Sequence, residues 1–195
     1  MPRASASAAA QTARQVLASA TDLFAAQGFA AVSLDDVARA AGVTRGAVYH
    51  HYANKTGLFR AVAAHLQADV AAAVVRAAER AEPDPRARLR AGSHAFLDAI
   101  TAAPAVRVLL VDAPAVIGWA QWRALDAEHS AAHLRDALAE AGVDGSLLDA
   151  LTAQLSGAMN EAALWLAERA DDAAARESAH RALDRLLEAV APRPA

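Results

Sequence analysis

The chain of 195 residues has no cysteine, a single lysine and an aromatic content of only 5%. The absence of cysteine excludes disulfide bonds and thiolate chemistry, and it fits a reducing cytoplasm. Arg107, Asp112 and Gln121 interrupt the longest apolar stretches, so no run reaches the roughly 18 residues that a membrane span needs. The opening residues, MPRASASAAAQ, lack the leucine-rich stretch of a signal peptide. We therefore expect a cytoplasmic protein with no membrane partner.

The composition favours an all-α fold. Apolar residues make up 55% of the chain, alanine is the most frequent of them, and few bulky side chains are available for a β-rich core. Apolar spacing predicts helices over 54–81, 86–102 and 115–141, a short segment over 104–112, and two final helices from 148 onward. The prediction ends the short segment at Pro114, because proline disrupts a helix interior.

The most informative stretch is residues 33–59, SLDDVARAAGVTRGAVYHHYANKTGLF. Ser33 is positioned to cap a short helix that has Asp35 and Asp36 in its first turn. Gly42 follows that helix, at a position where a left-handed backbone favours glycine. Thr44 is positioned to cap the next helix. The spacing predicts a helix-turn-helix, a motif that sends its second helix into the DNA major groove.

The outward face of that second helix carries candidate DNA-contacting residues, namely Arg45, Gly46, Ala47, Tyr49 and His50. Each also has an ordinary structural interpretation. Arg45 would serve equally as a solvated surface charge, and Tyr49 as a core filler. Taken together, with small residues at the turn, the pattern favours DNA recognition.

The stretch from Ala13 to about Val62 resembles the N-terminal region of the TetR family of bacterial transcriptional regulators. The resemblance rests on LFAAQGF, on the serine at 33, on GVTRGAVYHHY and on the Asn-Lys pair at 54–55. It implies a DNA-binding domain over 1–59, with 1–10 as a mobile tail, and a ligand-binding and dimerisation domain over 60–195, with about nine helices in all. It also implies phosphate contacts by Ser33, Thr44, Tyr49, His50 and Lys55, and base contacts by Arg45, Gly46 and Ala47. Thr56-Gly57 departs from the family, which more often has an acidic residue there.

The charge distribution supports DNA binding by the N-terminal domain (the head, 1–59) and not by the C-terminal domain (the body, 60–195). Residues 1–60 hold six basic and three acidic residues, for a net charge of +3, whereas residues 61–195 hold 13 basic and 19 acidic residues, for −6. Lys55 lies in the first turn of a predicted helix, where the helix dipole disfavours a cation unless an anion such as a phosphate docks there. A charge of +3 is modest, so we expect a homodimer that places two heads on a near-palindromic operator.

The two final helices carry apolar stripes suited to helix packing. The predicted dimer interface comprises Leu148, Leu151, Leu155, Ala179, Leu183, Leu186 and Val190. Such stripes would also serve to cover the protein's own core. In TetR relatives the last two helices pair with those of a second copy, and the resemblance implies the same here.

The body also contains candidate ligand-binding residues, chosen because binding cavities combine aromatic walls with a few polar groups. They are Trp119, Trp122, Asn160 and Trp165. Each would serve equally as a core filler. Nothing in this half identifies the small-molecule effector, and no cofactor is expected.

Catalytic and metal sites are not expected. Glu128, His129 and His133 lie close in sequence, but the EHSAAH string lacks the HExxH order and an evident third metal ligand. No nucleophile elbow or phosphate loop is present. The predicted function is a transcriptional regulator, a repressor that a ligand releases from its operator. The alternatives are a helical-bundle enzyme and a DNA-bound scaffold with no metabolite response.

Overall fold

The structure, a computed structural model, describes residues 2–191, with side chains from residue 7 onward. Over this range it has nine helices and no β-strand, which confirms the all-α prediction. The helices are α1 (Pro2–Gln27), α2 (Leu34–Ala40), α3 (Arg45–Tyr52), α4 (Lys55–Arg80), α5 (Pro85–Thr101), α6 (Val106–Asp112 and Ala113–Val116), α7 (Trp119–Asp126, Ala127–Ala131 and Ala132–Glu140), α8 (Leu148–Ala167) and α9 (Ala173–Val190). The segments Val106–Asp112 of α6 and Ala127–Ala131 of α7 are π-helical.

The helix-turn-helix forms as its capping residues predict. Ser33 and Asp36 make a capping box at the start of α2, in which each side chain bonds the other residue's backbone N–H. Gly42 adopts a φ of +66°, a left-handed conformation that favours glycine. Thr44 caps α3 by accepting a hydrogen bond from the backbone N–H of Ala47. Local caps and a left-handed glycine thus form the junction between α2 and α3.

Helix α4 runs from the N-terminal helices into the rest of the chain as one helix, as the sequence predicts. Asn54 caps its start, and α4 packs against both α1 and α5. Its length and mean hydropathy would suit a membrane span, but the core helix of a globular protein passes the same test, and this one has a buried face. Three phenylalanines, Phe24, Phe29 and Phe59, pack around its N-terminal half with ring centroids 5.1–5.9 Å apart.

Of residues 1–10, predicted as a mobile tail, Pro2–Ala10 form the first part of α1. The physical reason is composition, since this segment is rich in alanine, the best helix former, and proline is well tolerated in a first turn. Met1 lies outside the described residues.

The single helix predicted over 115–141 is wrong, because the chain breaks at Gly118, which has a φ of +85°. The predicted stop at Pro114 is also wrong, since α6 continues through it to Val116. In the π-helical pattern the N–H of Ala113 bonds the carbonyl of Val108, so the residue at 114 would bond Leu109. Proline has no N–H, and the Leu109 carbonyl instead accepts the indole N–H of Trp122 at 2.7 Å. A side chain of α7 therefore replaces the missing backbone bond of α6.

Candidate DNA interface and ligand cavity

The polar face of α3 is exposed to solvent. Thr44, Arg45, Gly46 and His50 are exposed, Tyr49 is 41% exposed, and Ala47 is half-buried. The opposite face is anchored by Val48, which is fully buried, and by Tyr52, whose hydroxyl donates to the carbonyl oxygen of Ala13 in α1 at 2.8 Å. Burial raises the pKa of Tyr52. Sequence reasoning did not assign Tyr52 this anchoring role.

Arg45 is held in place before any DNA is bound. Its guanidinium pairs with the Asp35 carboxylate at 3.0 Å and donates to the Tyr49 hydroxyl, also at 3.0 Å. The pKa of Arg45 is raised, chiefly by the Tyr49 hydrogen bond and then by the charge of Asp35. All three side chains are exposed, so these contacts orient the guanidinium more than they stabilise the fold. An arginine oriented in this way is well suited to bidentate recognition of guanine.

Two glycines in the head differ in what surrounds them. A Cβ at Gly46 would meet only the Thr44 hydroxyl, 3.9 Å away, so the free protein has room for a side chain there. A Cβ at Gly57 would overlap the backbone carbonyl oxygen of Tyr52. Gly57, in the first turn of α4, thus allows the close approach of the Tyr52 carbonyl, a steric reason that its place in the motif did not reveal. Gly46 leaves the surface of α3 open to close approach.

Ser33 and Lys55, both predicted to contact phosphate, already have partners. The Ser33 hydroxyl donates to Asp36 at 2.5 Å, and this contact is the main reason that the pKa of Asp36 is lowered. The Lys55 ammonium donates to the carbonyl oxygen of Ala30 at 3.2 Å and lies 4.3 Å from the centre of the Phe29 ring. Lys55 is half-buried and keeps donors free for an anion.

A polar joint connects α6 to the end of α1. The backbone N–H of Phe29 donates to the Asp112 carboxylate at 3.0 Å. Arg107, one helical turn earlier, donates to the carbonyl oxygen of Ala26 at 3.4 Å and lies 3.9 Å from Asp112. A Cβ at Gly28 would overlap the Arg107 guanidinium, so glycine allows this close contact. The head and body are therefore joined at two places, through α4 and through this joint.

The body contains a cavity of about 440 Å³ between α4, α5, α7 and α8. Its inner wall is buried and includes Leu89, Ser93, Phe96, Ser130 and Met159. Its outer rim is exposed and charged, formed by Glu79, Arg88, His133, Asp136 and Glu140. The two serines, Ser93 and Ser130, lie in no distinguishing sequence motif, and sequence reasoning missed them.

None of the four predicted ligand-binding residues lines this cavity. Trp122 is buried and bonds Leu109, whereas Trp119 is 64% exposed and packs against Trp122 with ring centroids 4.9 Å apart. Trp165 is 40% exposed, under the guanidinium of Arg169. Asn160 is buried, next to Met159 in sequence.

The body contains several buried polar groups, of which Ser130 lines the cavity. Asp126 is only 1% exposed, and its carboxylate accepts from the Ser156 hydroxyl at 3.1 Å and from Arg123 at 3.3 Å. Burial is the largest influence on its pKa and raises it, against smaller opposing effects of Ser156, Arg123 and Asn160. The buried Gln67 amide and Ser130 hydroxyl have no hydrogen-bond partner in the described part of the chain.

The residues predicted for the dimer interface separate into two sets. Four of them, Leu148, Leu155, Ala179 and Leu183, are buried within the chain itself. Leu151 and Val190 are half-buried, and Leu186 is 45% exposed. The apolar surface that α8 and α9 leave exposed instead comprises Ala158, Leu164, Trp165, Ala182 and Leu186.

Two histidines connect α5 to α9. The Nδ1 atoms of His94 and His180 lie 3.1 Å apart, and each ring directs its Nε2 to a carboxylate, His94 to Asp184 at 2.7 Å and His180 to Asp98 at 3.2 Å. Arg90 also holds Asp184 through two hydrogen bonds of 2.7 Å, which is the main reason that the pKa of Asp184 is lowered. Over residues 2–191 no three side chains of metal-binding type are grouped to hold an ion.

Comparison with known proteins places both halves of the chain. Residues 16–62 match the family model described as "Bacterial regulatory proteins, tetR family". Residues 86–190, more than half of the chain, match the model described as "Tetracyclin repressor-like, C-terminal domain".

Individual relatives agree. The chain is 43% identical over 67 residues to the HTH-type transcriptional regulator SrpR of Pseudomonas putida, which covers 34% of this chain and 32% of SrpR. It is 37% identical over 86 residues to the HTH-type transcriptional activator FasR of Mycolicibacterium smegmatis, covering 44% of this chain and 39% of FasR. The matched stretch thus spans only about a third of the length of these two relatives.

The fold is shared over nearly the whole chain. The crystal structure of a TetR-family transcriptional regulator from Pectobacterium atrosepticum superposes with a TM-score of 0.76 at 29% identity, covering 97% of this chain and 98% of that one. With both family models matched in the expected order, the chain belongs to the TetR family of bacterial transcriptional regulators.

Proposed function

We propose that this protein is a cytoplasmic, homodimeric repressor that binds a near-palindromic DNA operator and is released from it by a small molecule. The observation that carries the proposal is the exposed polar face of α3, with Arg45 oriented on it and Val48 anchoring the helix from behind. In this proposal Arg45, Gly46 and Ala47 face base edges, and Ser33, Thr44, Tyr49, His50 and Lys55 contact phosphates. No enzymatic step is proposed.

Dimerisation is supported by the exposed apolar surface of α8 and α9. Trp165, Leu164 and Leu186 are large apolar side chains, and the small Ala158 and Ala182 beside them allow helices to approach closely. A second copy packed on this surface would bury all five. The proposed interface therefore keeps the predicted helices and Leu186, and it adds Trp165, which the sequence had suggested for the ligand site.

The contacts described above supply a route from the cavity to the head. The cavity wall includes α7, and α7 bonds α6 through Trp122 and Leu109. Helix α6 in turn holds the end of α1 through Asp112 and Phe29. A ligand that favours another position of α7 would shift α6 and alter the spacing of the two heads. Release would then follow as a population shift between two head spacings.

Selection of bound fragments from bacterial genomic DNA tests the function as a whole. We expect the dimer to retain a small set of near-palindromic fragments, with affinity that falls steeply with salt. Reporter transcription from a retained fragment should fall when the protein is present, whereas a rise would make it an activator. Failure to retain any duplex, together with turnover of a small molecule, would favour the enzyme. Retention that no metabolite reverses would favour the scaffold.

The Asp112 joint provides a test of the coupling. Asp112→Ala removes the acceptor for the Phe29 N–H but leaves α3 untouched, so operator affinity without effector should change by less than about threefold. Release by effector should weaken by about tenfold, a coupling free energy of about 1.4 kcal/mol. Asp171→Ala, at an exposed acid between α8 and α9, is the matched control. Unchanged release by the Asp112 variant would contradict this route.

A further inference from the structure

The walls of the body cavity are apolar and its inner end carries one unpaired hydroxyl. Val74, Val75, Leu89, Phe96 and Met159 line it. The Ser130 hydroxyl is buried at the same cavity and has no hydrogen-bond partner among the described residues. At about 440 Å³ the cavity is at the small end of the range for ligand sites, about 300–1,000 Å³. It suits a compact molecule of one or two rings more than a long chain.

The rim of the cavity is unusual because its charges have no internal partners. Glu79, Asp136 and Glu140 contribute three negative charges, and Arg88 contributes one positive charge. These four residues and His133 form no ion pair or hydrogen bond with any other described side chain. With neutral histidine the rim therefore carries a net charge of −2.

The charge of the surrounding body has the same sign. Residues 61–195 carry a net charge of −6, so the field outside the cavity also repels anions and attracts cations. Arg88 alone would favour a carboxylate ligand, but the three neighbouring carboxylates outnumber it. The apolar wall excludes a ligand that is polar throughout, because such a molecule would lose its hydration without replacement bonds.

We propose that the effector is a compact amphipathic cation. Its apolar ring or rings would lie against Phe96 and Met159, and its single protonated amine would lie at the rim among Glu79, Asp136 and Glu140. A hydroxyl or other small polar group at the inner end would pair with Ser130. This inference rests on the proposed function, in which the same cavity is the effector site.

Three probes with one apolar skeleton and different charge test the class directly: 4-phenylbutylamine, 4-phenylbutanol and 4-phenylbutyrate. Calorimetric titration of the full-length dimer, without DNA, should give the amine an affinity at least tenfold higher than the alcohol, with the carboxylate weakest. The advantage of the amine should shrink as salt is added, because exposed rim charges are screened. Binding of the carboxylate as tightly as the amine, or no binding by any of the three, overturns the proposal.

Variants distinguish the contribution of the rim charges from the contribution of the cavity as a whole. Glu79→Gln combined with Glu140→Gln should reduce the advantage of the amine by about tenfold and leave binding of the alcohol unchanged. Both side chains are exposed, so the fold should be retained. Met159→Trp should fill the cavity and abolish binding of both probes, and Asp171→Asn is the control that leaves both intact. An unchanged advantage of the amine in the double variant overturns the proposal.

DNA release is measured separately, so that the two proposals fail in different ways. If the amine binds as described but never releases operator DNA, the ligand class stands and the proposed function fails. If an anionic compound releases the DNA and is blocked by Met159→Trp, the proposed function stands and the ligand class is wrong.

Discussion

The head and the body of this protein use polar groups differently. In the head, Ser33 is paired with Asp36, Arg45 with Asp35, and Asn54 with the N–H of Gly57. In the body, the buried side chains of Gln67 and Ser130 keep polar atoms with no partner among the described residues.

Backbone geometry shows the same difference. Helices α1, α2 and α3 of the head are regular α-helices, whereas α6 and α7 contain π-helical segments and meet at a glycine with positive φ. Segments of π-helix are rare in proteins, and those that occur are often found at functional sites. Under the proposed function, the head would serve as a preformed reading surface, and the adaptable part of the molecule would lie around α6 and α7.

The largest expected effect comes from a pair of glycine variants that distinguish the stability of the head from its affinity for DNA. Gly57→Ala would place a Cβ against the Tyr52 carbonyl, so the turn before α4 must shift. We expect a loss of about 3 kcal/mol in the free energy of unfolding, measured by urea denaturation, and a loss of DNA binding with it.

Gly46→Ala is the matched variant. Its Cβ has room, and alanine favours a helix, so stability should rise by about 0.5–1 kcal/mol. Operator affinity should nevertheless fall, because the methyl group would occupy the surface that approaches the bases. A Gly46→Ala protein that binds operator like the wild type would show that this surface does not meet DNA.

The next effect tests the contact between α6 and α7. Trp122→Phe keeps an aromatic ring but removes the N–H that bonds the Leu109 carbonyl, leaving a buried acceptor unpaired. We expect a loss of about 2 kcal/mol in the free energy of unfolding, with DNA binding by the folded protein preserved. Trp119→Phe, at an exposed neighbour that makes no such bond, should be nearly neutral. Equal effects from the two variants would show that the bond contributes little.

Acidic residues give the head and the body interior opposite pH responses. Burial raises the pKa of Asp126, so the folded protein binds this proton more tightly than the unfolded chain does. The wild type therefore gains stability from this group as pH falls through the raised pKa towards the ordinary value of 3.8. Asp36 has a lowered pKa, so its contribution is present above 3.8 and is lost as pH falls through the lowered value.

Asp126→Asn isolates the body interior, because it removes the buried charge with little change in shape. The variant should melt at a higher temperature than the wild type at pH 7, and the difference should shrink as the pH is lowered towards 4. Thermal melts across this range provide the measurement. A variant that melts below the wild type at pH 7 would mean that the charged Asp126 stabilises the fold.

The smallest effect concerns Lys55. Lys55→Met keeps the length of the side chain over Phe29 and removes the charge. Affinity should fall by a similar factor for operator and unrelated duplexes, and the slope of log affinity against log salt should decrease by about 1. Arg80→Met, at the far end of α4, is the control and should leave the slope unchanged. An unchanged slope for Lys55→Met would remove Lys55 from the phosphate contacts.

The sequence was most informative where structure depends on neighbouring residues. Ser33, Gly42 and Thr44 specify the helix-turn-helix through caps and a left-handed turn, each within three or four residues. The break at Gly118 was missed because a glycine within an apolar, alanine-rich stretch also fits a continuous helix. The continuation of α6 through Pro114 depends on Trp122, eight residues later, and no periodicity predicts that bond.

Long-range packing also determines which residues line the cavity and which apolar residues stay exposed. Ser93 and Ser130 are unremarkable in sequence and become cavity residues only because α5 and α7 face each other. Three tryptophans were predicted to bind ligand because they are large and aromatic. In the structure, however, the indole N–H of Trp122 donates to the Leu109 carbonyl of α6, and Trp165 lies on the exposed face of α8.

The most direct test of the account is the affinity of wild-type and Arg45→Ala dimers for a selected operator and for a scrambled duplex, measured by fluorescence anisotropy at one salt concentration. The account predicts that Arg45→Ala loses about 1–3 kcal/mol of the preference for operator, a factor of about 5–150. It also predicts that affinity for the scrambled duplex changes much less. An Arg45→Ala dimer that keeps the full wild-type preference would contradict the claim that the exposed face of α3 reads the DNA sequence.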